Sequence, residues 1–224
     1  MKHILAVLAL LTLTACSSGE QGAFGAAFQQ IRGSLFNRGA DETAQFTATR
    51  ASLRAAGIER PVLVVRAPDV DISVGLLEYE QTGGVTIWRS LDGNTVSTAS
   101  GLLRNTRGFG TDLHSLDTAP AESALASGND AEYSRVFRAV DGEGVLHRAR
   151  LYCRLTQEGR EQVDVLGQGY DSVRFRETCR ADGVPNPIFE NLYWRGVHGQ
   201  IWKSRQWAGP DLGYMTLERV TLQQ

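Results

Sequence analysis

From Val62 onward the chain alternates apolar and polar residues, and breaks rich in Gly, Asn and Asp cut the alternation into short runs. A period of two sends successive side chains to opposite faces of a strand. Val62–Val65, Ile72–Glu80 and Val85–Ser90 predict three strands, the last two joined as a hairpin at Gly83-Gly84. Asp92-Gly93-Asn94 then turns the chain into a strand over Thr95–Leu102. Gly108, Gly110 and Pro120 mark an irregular region, followed over Ala119–Asn129 by a short helix or an exposed loop. Alternation resumes in Tyr133–Val140 and Val145–Leu155, joined by Asp141-Gly142-Glu143-Gly144. It continues in Gln162–Leu166, Ser172–Cys179, Asn191–Arg195, Gly199–Trp207 and Tyr214–Thr221. Within Val145–Leu155, the set Val145, His147, Ala149, Leu151, Cys153 and Leu155 shares one face. Leu146, Arg148, Arg150, Tyr152 and Arg154 share the other, whose charge points it to water.

A helical period occurs only before these runs. Phe24, Phe28, Ile31 and Leu35 form one apolar stripe, and a second helix is expected over Thr43–Ala56, ended by Gly57 with Pro61 just beyond. The fold expected is mainly β: one antiparallel meander sheet, barrel-like or a sandwich, of about 11–12 strands with one or two N-terminal helices.

The first residues have a different logic. Met1-Lys2-His3 precedes an almost unbroken apolar run, Ile4–Leu13, which ends in the lipobox-like Leu13-Thr14-Ala15-Cys16. That run is shorter than the roughly 20 helical residues that span a bilayer, so it reads as a signal peptide over residues 1–15. A thiol at the cut site takes diacylglycerol as a thioether, and the small residues before it admit the peptidase. Cys16 is therefore the expected lipid attachment, residues 16–25 a flexible tether, and residues 26–224 a single β-rich domain. Ser17 after the cysteine is consistent with sorting to the outer membrane.

Charge narrows the partners. With 23 Lys plus Arg against 25 Asp plus Glu, the chain lacks the cationic excess that nucleic acid requires. The 3 cysteines comprise Cys16 and the pair Cys153 and Cys179. In an oxidising compartment this pair most simply forms a disulfide, worth about 3.5 kcal/mol by chain entropy. Metal ligation, a redox pair and free buried thiols are the alternatives, and no CxxC accompanies the two. Val173, Phe175 and Cys179 share a face, so both cysteines are expected to point inward from neighbouring strands.

No GxSxG, HExxH, Walker loop or strand-following GxGxxG is present. Asp112, His114 and Asp117 form the densest polar cluster, able in principle to offer metal ligands or an acid–base pair. An extended segment would place Asp112 and His114 on one face, but the plainer reading is a loop whose Asp and Ser cap backbone groups. Trp88, Trp194, Trp202 and Trp207 all fall on expected strands. Their rings could stack on sugars or fill a core. Strict alternation puts Trp202 and Trp207 on opposite faces unless a bulge intervenes.

Ile87-Trp88-Arg89-Ser90, Asp92-Gly93, Gly101-Leu102-Leu103-Arg104-Asn105-Thr106 and Gly108-Phe109-Gly110-Thr111-Asp112-Leu113 together resemble the YjbF/GfcB family of exopolysaccharide and group 4 capsule lipoproteins. The segment from Ile201 to Trp207, followed by Gly209-Pro210, is similar to that family's closing W-x-S-x-Q-W. The resemblance implies an all-β outer-membrane lipoprotein facing the periplasm and associated with surface polysaccharide. It carries over no catalytic residue, no metal and no cofactor beyond the lipid on Cys16. Trp88, Arg104, Thr106, Gly108, Asp112, Trp202 and Gln206 are motif positions; with His114 and Trp207 they are candidates for glycan contact. The expected role is a non-catalytic accessory to polysaccharide production or export, acting by glycan contact or by docking on the export machinery. The alternatives are a carbohydrate-modifying enzyme with a site near Asp112 and His114, or a lipoprotein that binds only protein.

Overall fold

The structure, a computed structural model, describes residues 46–110, 112–140 and 145–222. Cys16, the tether, the helix expected over Phe24–Leu35 and the start of Thr43–Ala56 lie outside the described residues.

The alternating runs become β1 (Val62–Ala67), β2 (Ile72–Thr82), β3 (Val85–Arg89), β4 (Thr95–Ala99), β5 (Leu102–Arg107) and β6 (Leu113–Leu116). After these come β7 (Ala131–Val140), β8 (Leu146–Val165), β9 (Gln168–Ala181), β10 (Phe189–Gly196), β11 (Ile201–Gly209) and β12 (Gly213–Val220). They form one 12-stranded antiparallel sheet in the order β5-β4-β3-β2-β1-β12-β11-β10-β9-β8-β7-β6. The sheet is thus two meanders joined where β1 pairs β12, from Val62 opposite Val220 to Arg66 opposite Thr216. It curls until its ends β5 and β6 meet, giving a nearly closed barrel that leaves almost no open edge.

Four local expectations are corrected. The run Thr95–Leu102 is two strands, because Ser100 and Gly101 both adopt left-handed φ (50° and 84°), the backbone that a two-residue hairpin requires. The polar stretch between Leu155 and Gln162 does not break a strand. β8 runs 20 residues through it, with a bulge at Gln157/Gly159. Its polarity reflects an outward row in which Glu158 pairs with Arg174 and Arg176 of β9. The region expected to be irregular contains β6. Helices are also not confined to the start: Ala119–Asn129, read as a short helix or an exposed loop, is helical over Ala119–Ser127, and its Ala121, Ala124 and Leu125 pack against Leu155, Phe175 and Tyr193.

The helix expected over Thr43–Ala56 is shorter than its pattern. Phe46 N–H donates to Ser73 O of β2, so the chain enters extended. Thr49 and Ser52 then form a capping box that starts α1 (Arg50–Ala55); the mid-chain helix is α2.

Alternation sorts the two faces of the sheet. Leu63, Val65, Leu76, Trp88, Val96, Leu103, Leu151, Met215 and Leu217 belong to the principal core. Val62 and Val64 face the other way, beneath Phe46, Ala48 and Leu53 and the far end of the β8–β9 hairpin, Val163 and Val165. Arg50 locks this second layer by donating to Val165 O, Leu166 O, Thr221 O and the Tyr170 hydroxyl. Cys153 and Cys179 lie directly opposite each other in β8 and β9, inside the principal core, and are joined as a disulfide.

Candidate functional site

Most motif positions lie where the ends of the sheet meet. β5 and β6 close on each other without a ladder, so their spare backbone groups need other partners. The Thr106 hydroxyl donates to the Asp112 carboxylate (2.8 Å) and accepts from Leu113 N–H (2.9 Å). The same carboxylate accepts from Gly108 N–H (2.8 Å) and Phe109 N–H (3.2 Å). Gly108 has φ 87°, and a Cβ there would run into the Asn94 side chain, so the position demands glycine. Further along β5, Gln206 reaches over from β11: its Oε1 accepts from Leu103 N–H (2.9 Å), and its Nε2 donates to Gly101 O (3.2 Å) and to Ser204 Oγ (2.9 Å). Thr106, Asp112 and Gln206 therefore act as a side-chain seam where strand pairing stops.

His114 is the exposed bulge residue of β6, between Leu113 opposite Ala139 and Ser115 opposite Arg138. Arg104 is the half-buried bulge residue of β5. With its oxygens filled by donors of its own loop, Asp112 has the geometry of a cap. Asp112→Ala is expected to lower stability by about 2 kcal/mol, since it leaves the Thr106 hydroxyl and two loop amides without their acceptor. Amide exchange of Gly108 and Phe109 should accelerate; unchanged exchange would show that the seam does not depend on this carboxylate.

The tryptophans separate by what they touch. Trp88 is 3 % exposed, and its Nε1 donates to Thr98 Oγ1 (2.8 Å). Trp202 is the residue skipped in the β10–β11 ladder, where Trp194 faces Lys203 and Arg195 faces Ile201. Its ring stacks on Tyr170 at 4.0 Å. Trp207 lies between Phe137 (5.0 Å) and Phe189 (4.7 Å), and its backbone N–H donates to Asn191 Oδ1. Trp194 donates to Glu161. Each ring is already held by protein, and Trp88 also borders a cavity.

That cavity, 380 Å³, lies at the end of the barrel where the β2–β3, β4–β5 and β10–β11 turns converge. Trp88 and Leu217 supply apolar wall; Thr86, Ser204, Gln200 and Arg219 supply polar groups. Gln81 and Gly84, both exposed, mark its opening. Arg219 faces inward because it sits opposite Leu63, a principal-core residue, and two positions on from Leu217. Among the described residues no carboxylate, imidazole or thiol lines the space. The arrangement offers hydroxyls, an amide and one fixed cation, a set that binds and orients but supplies no proton-transfer pair.

A second polar group lies buried in the core. Arg135 and Glu177, both 0 % exposed, pair at 2.7 Å across β7 and β9. Glu177 also accepts from Tyr133, Asn191 and Tyr193, at 2.7–2.8 Å. Burial alone would raise the Glu177 carboxyl, but the Arg135 charge and the hydrogen bonds from Tyr193, Arg135 and Asn191 outweigh it and hold the group below the usual carboxylate range. Burial, then the Glu177 charge, pushes the Tyr133 and Tyr193 hydroxyls upward, which keeps them donors. Glu177 and the two Sγ atoms lie within 4.8 Å of one another, but the sulfurs are bonded to each other and offer no thiolate to a metal. This cluster was missed from sequence. Tyr133-x-Arg135-x-Phe137 and Phe175-x-Glu177-x-Cys179 held the signal, since each places a charge on a face otherwise destined for the core.

Comparison with known proteins bears on the whole described fold. The family model for group 4 capsule polysaccharide lipoproteins, GfcB/YjbF, matches residues 23–220. The crystal structure of the hypothetical lipoprotein YmcC from Escherichia coli (K12) superposes with a TM-score of 0.67 at 17% identity, covering 78% of this chain and 89% of that one. No curated protein matches by sequence.

Proposed function

The chain belongs to the YjbF family of group 4 capsule polysaccharide lipoproteins, and from that membership we propose that it assists capsule or exopolysaccharide production or export as a non-catalytic lipoprotein. It is anchored through Cys16 in the outer membrane, faces the periplasm, and holds a segment of glycan in the cavity at the end of its barrel. The cavity carries this reading: 380 Å³, open at a rim of turns, walled by Trp88 and lined with hydroxyl and amide groups but no acid or base. Sugars present C–H faces and hydroxyls together, which is what a mixed wall of this kind accommodates. The Asp112 and His114 region supports a structural role instead, because Asp112 is spent on the β5–β6 seam. Acid–base work there would require the carboxylate to release its backbone donors.

Deleting the gene should lower cell-surface polysaccharide. Wild type and His114→Ala should restore it, whereas Thr86→Phe, which fills the cavity from β3, should not, at equal protein levels. Restoration by Thr86→Phe overturns the cavity reading, and failure of His114→Ala overturns the non-catalytic one.

A further inference from the structure

Among the described residues most inward-facing arginines meet a protein partner, while the Nε atoms of Arg195 and Arg219 are shielded without one. Arg135 is paired with Glu177. Arg50 donates to carbonyl oxygens of Val165, Leu166 and Thr221. Arg219 lines the barrel-end cavity, yet it makes no ion pair and no hydrogen bond with any described residue, and its Nε is fully shielded. Its chain neighbour Glu218 cannot serve it. Glu218 lies on the opposite face of β12 and is committed to Arg66 (2.8 Å) and Lys203 (2.7 Å). Gln200 Oε1, on the same cavity wall, is likewise buried without a donor. Shielded polar atoms are costly unless a partner satisfies them, and a cation bordering low-dielectric wall costs more than a neutral group.

We propose that the cavity takes a carboxylate-bearing sugar, a uronate unit of the glycan, with its carboxylate on the guanidinium of Arg219. The inference rests on the glycan-binding reading above and specifies its ligand. Arg219 presents a planar fork of N–H donors that matches a carboxylate, and no carboxylate of the lining competes for it. Thr86 and Ser204 Oγ remain to meet ring hydroxyls, while the Trp88 and Leu217 walls accept the apolar edge. The single charge sets the discrimination: a neutral hexose meets the same hydroxyls but leaves the guanidinium without its anion.

The test uses the full lipidated chain in detergent, titrated by saturation-transfer NMR with methyl glucuronide and methyl galacturonide against methyl glucoside and methyl galactoside. At least one uronide should bind about tenfold tighter than its neutral counterpart. Arg219→Gln should erase that difference, and Thr86→Phe should abolish binding of both. Equal affinity for acidic and neutral sugars, indifferent to Arg219→Gln, overturns the uronate assignment and leaves glycan binding standing. No binding of any sugar overturns both. Displacement of the uronide by inorganic phosphate at matching concentration assigns Arg219 to a free anion and overturns the proposal.

Discussion

Glu177→Ala is expected to lower the stability of the domain by about 3–5 kcal/mol, the cost of leaving a buried cation without its counter-charge. At roughly 2–4 °C per kcal/mol for a domain of this size, the thermal midpoint should fall by about 10 °C or more. The size of the effect follows from the geometry. Arg135 has no access to water, and removing the carboxylate also strands the Tyr133 and Tyr193 hydroxyls and the Asn191 amide. Arg135→Leu should cost a similar amount, because it leaves an unpaired anion. The double variant Arg135→Leu/Glu177→Gln should lose much less than the sum of the two single changes, since no charge remains to be compensated. Strict additivity would mean that the two residues do not act as a pair.

The same pair makes stability depend on pH. A carboxyl held below its unfolded value of about 4.3 stabilises the fold at all pH above that value. The contribution is lost as pH falls from there through the folded value. Urea midpoints of the wild type should therefore decline on acidification below about pH 4.3, whereas Glu177→Gln should show a shallower decline from a lower plateau. Glu158 is also held low, first by its hydrogen bond to Arg176, and remains in both proteins as the residual acid sensitivity.

Removal of the disulfide is the second large effect. Cys153→Ala/Cys179→Ala should cost about 3.5 kcal/mol, mainly by freeing the unfolded chain from a loop of 26 residues. Alanine is the informative replacement because both sites are core positions where a serine hydroxyl would add a desolvation penalty of its own. Reduction of the wild type under denaturing conditions, followed by alkylation, should give a comparable loss. A change below about 1 kcal/mol in the double variant would indicate that the native thiols are not joined. Glu177 adjoins both sulfurs, so the disulfide and the ion pair are expected to couple: combining their variants should depart from additivity.

The conservative half of the fold was readable because a strand writes its own face. Leu151, Cys153 and Leu155 point inward as their alternation requires, and Arg148, Arg150, Tyr152 and Arg154 point out. Where the reading failed, one residue in an unusual backbone state was responsible. Ser100 in left-handed φ ends β4 inside an apparently continuous run, and the bulge at Gln157/Gly159 carries β8 through a polar stretch that resembles a loop. The skipped Trp202 likewise shifts the phase of β11, so that Ser204 and Gln206 are buried behind Ile201.

The candidate site was less legible. Met215, Leu217 and Arg219 share a parity that marks Arg219 as a cation on a core face, a signal present in the sequence but not its meaning. Only the convergence of three turns shows that this arginine borders a cavity rather than a packed interior. Thr106, Asp112 and Gln206 stood out as a pattern, yet their common task is visible only once β11 lies against β5.

By itself the sequence determined most of the strand content, the hairpin order and the inward direction of the cysteines. Each of these depends on residues within a few positions of one another, where periodicity, turn backbone and hydrophobic length act directly. The tertiary structure alone decided that β1 pairs β12, that β5 and β6 close through side chains, and that Arg135 meets Glu177 while Arg219 Nε has no partner among the described residues. Alternation specifies which face a side chain takes but not which distant strand will share it. That partner is set by the curl of the whole sheet and by the burial its closure gains.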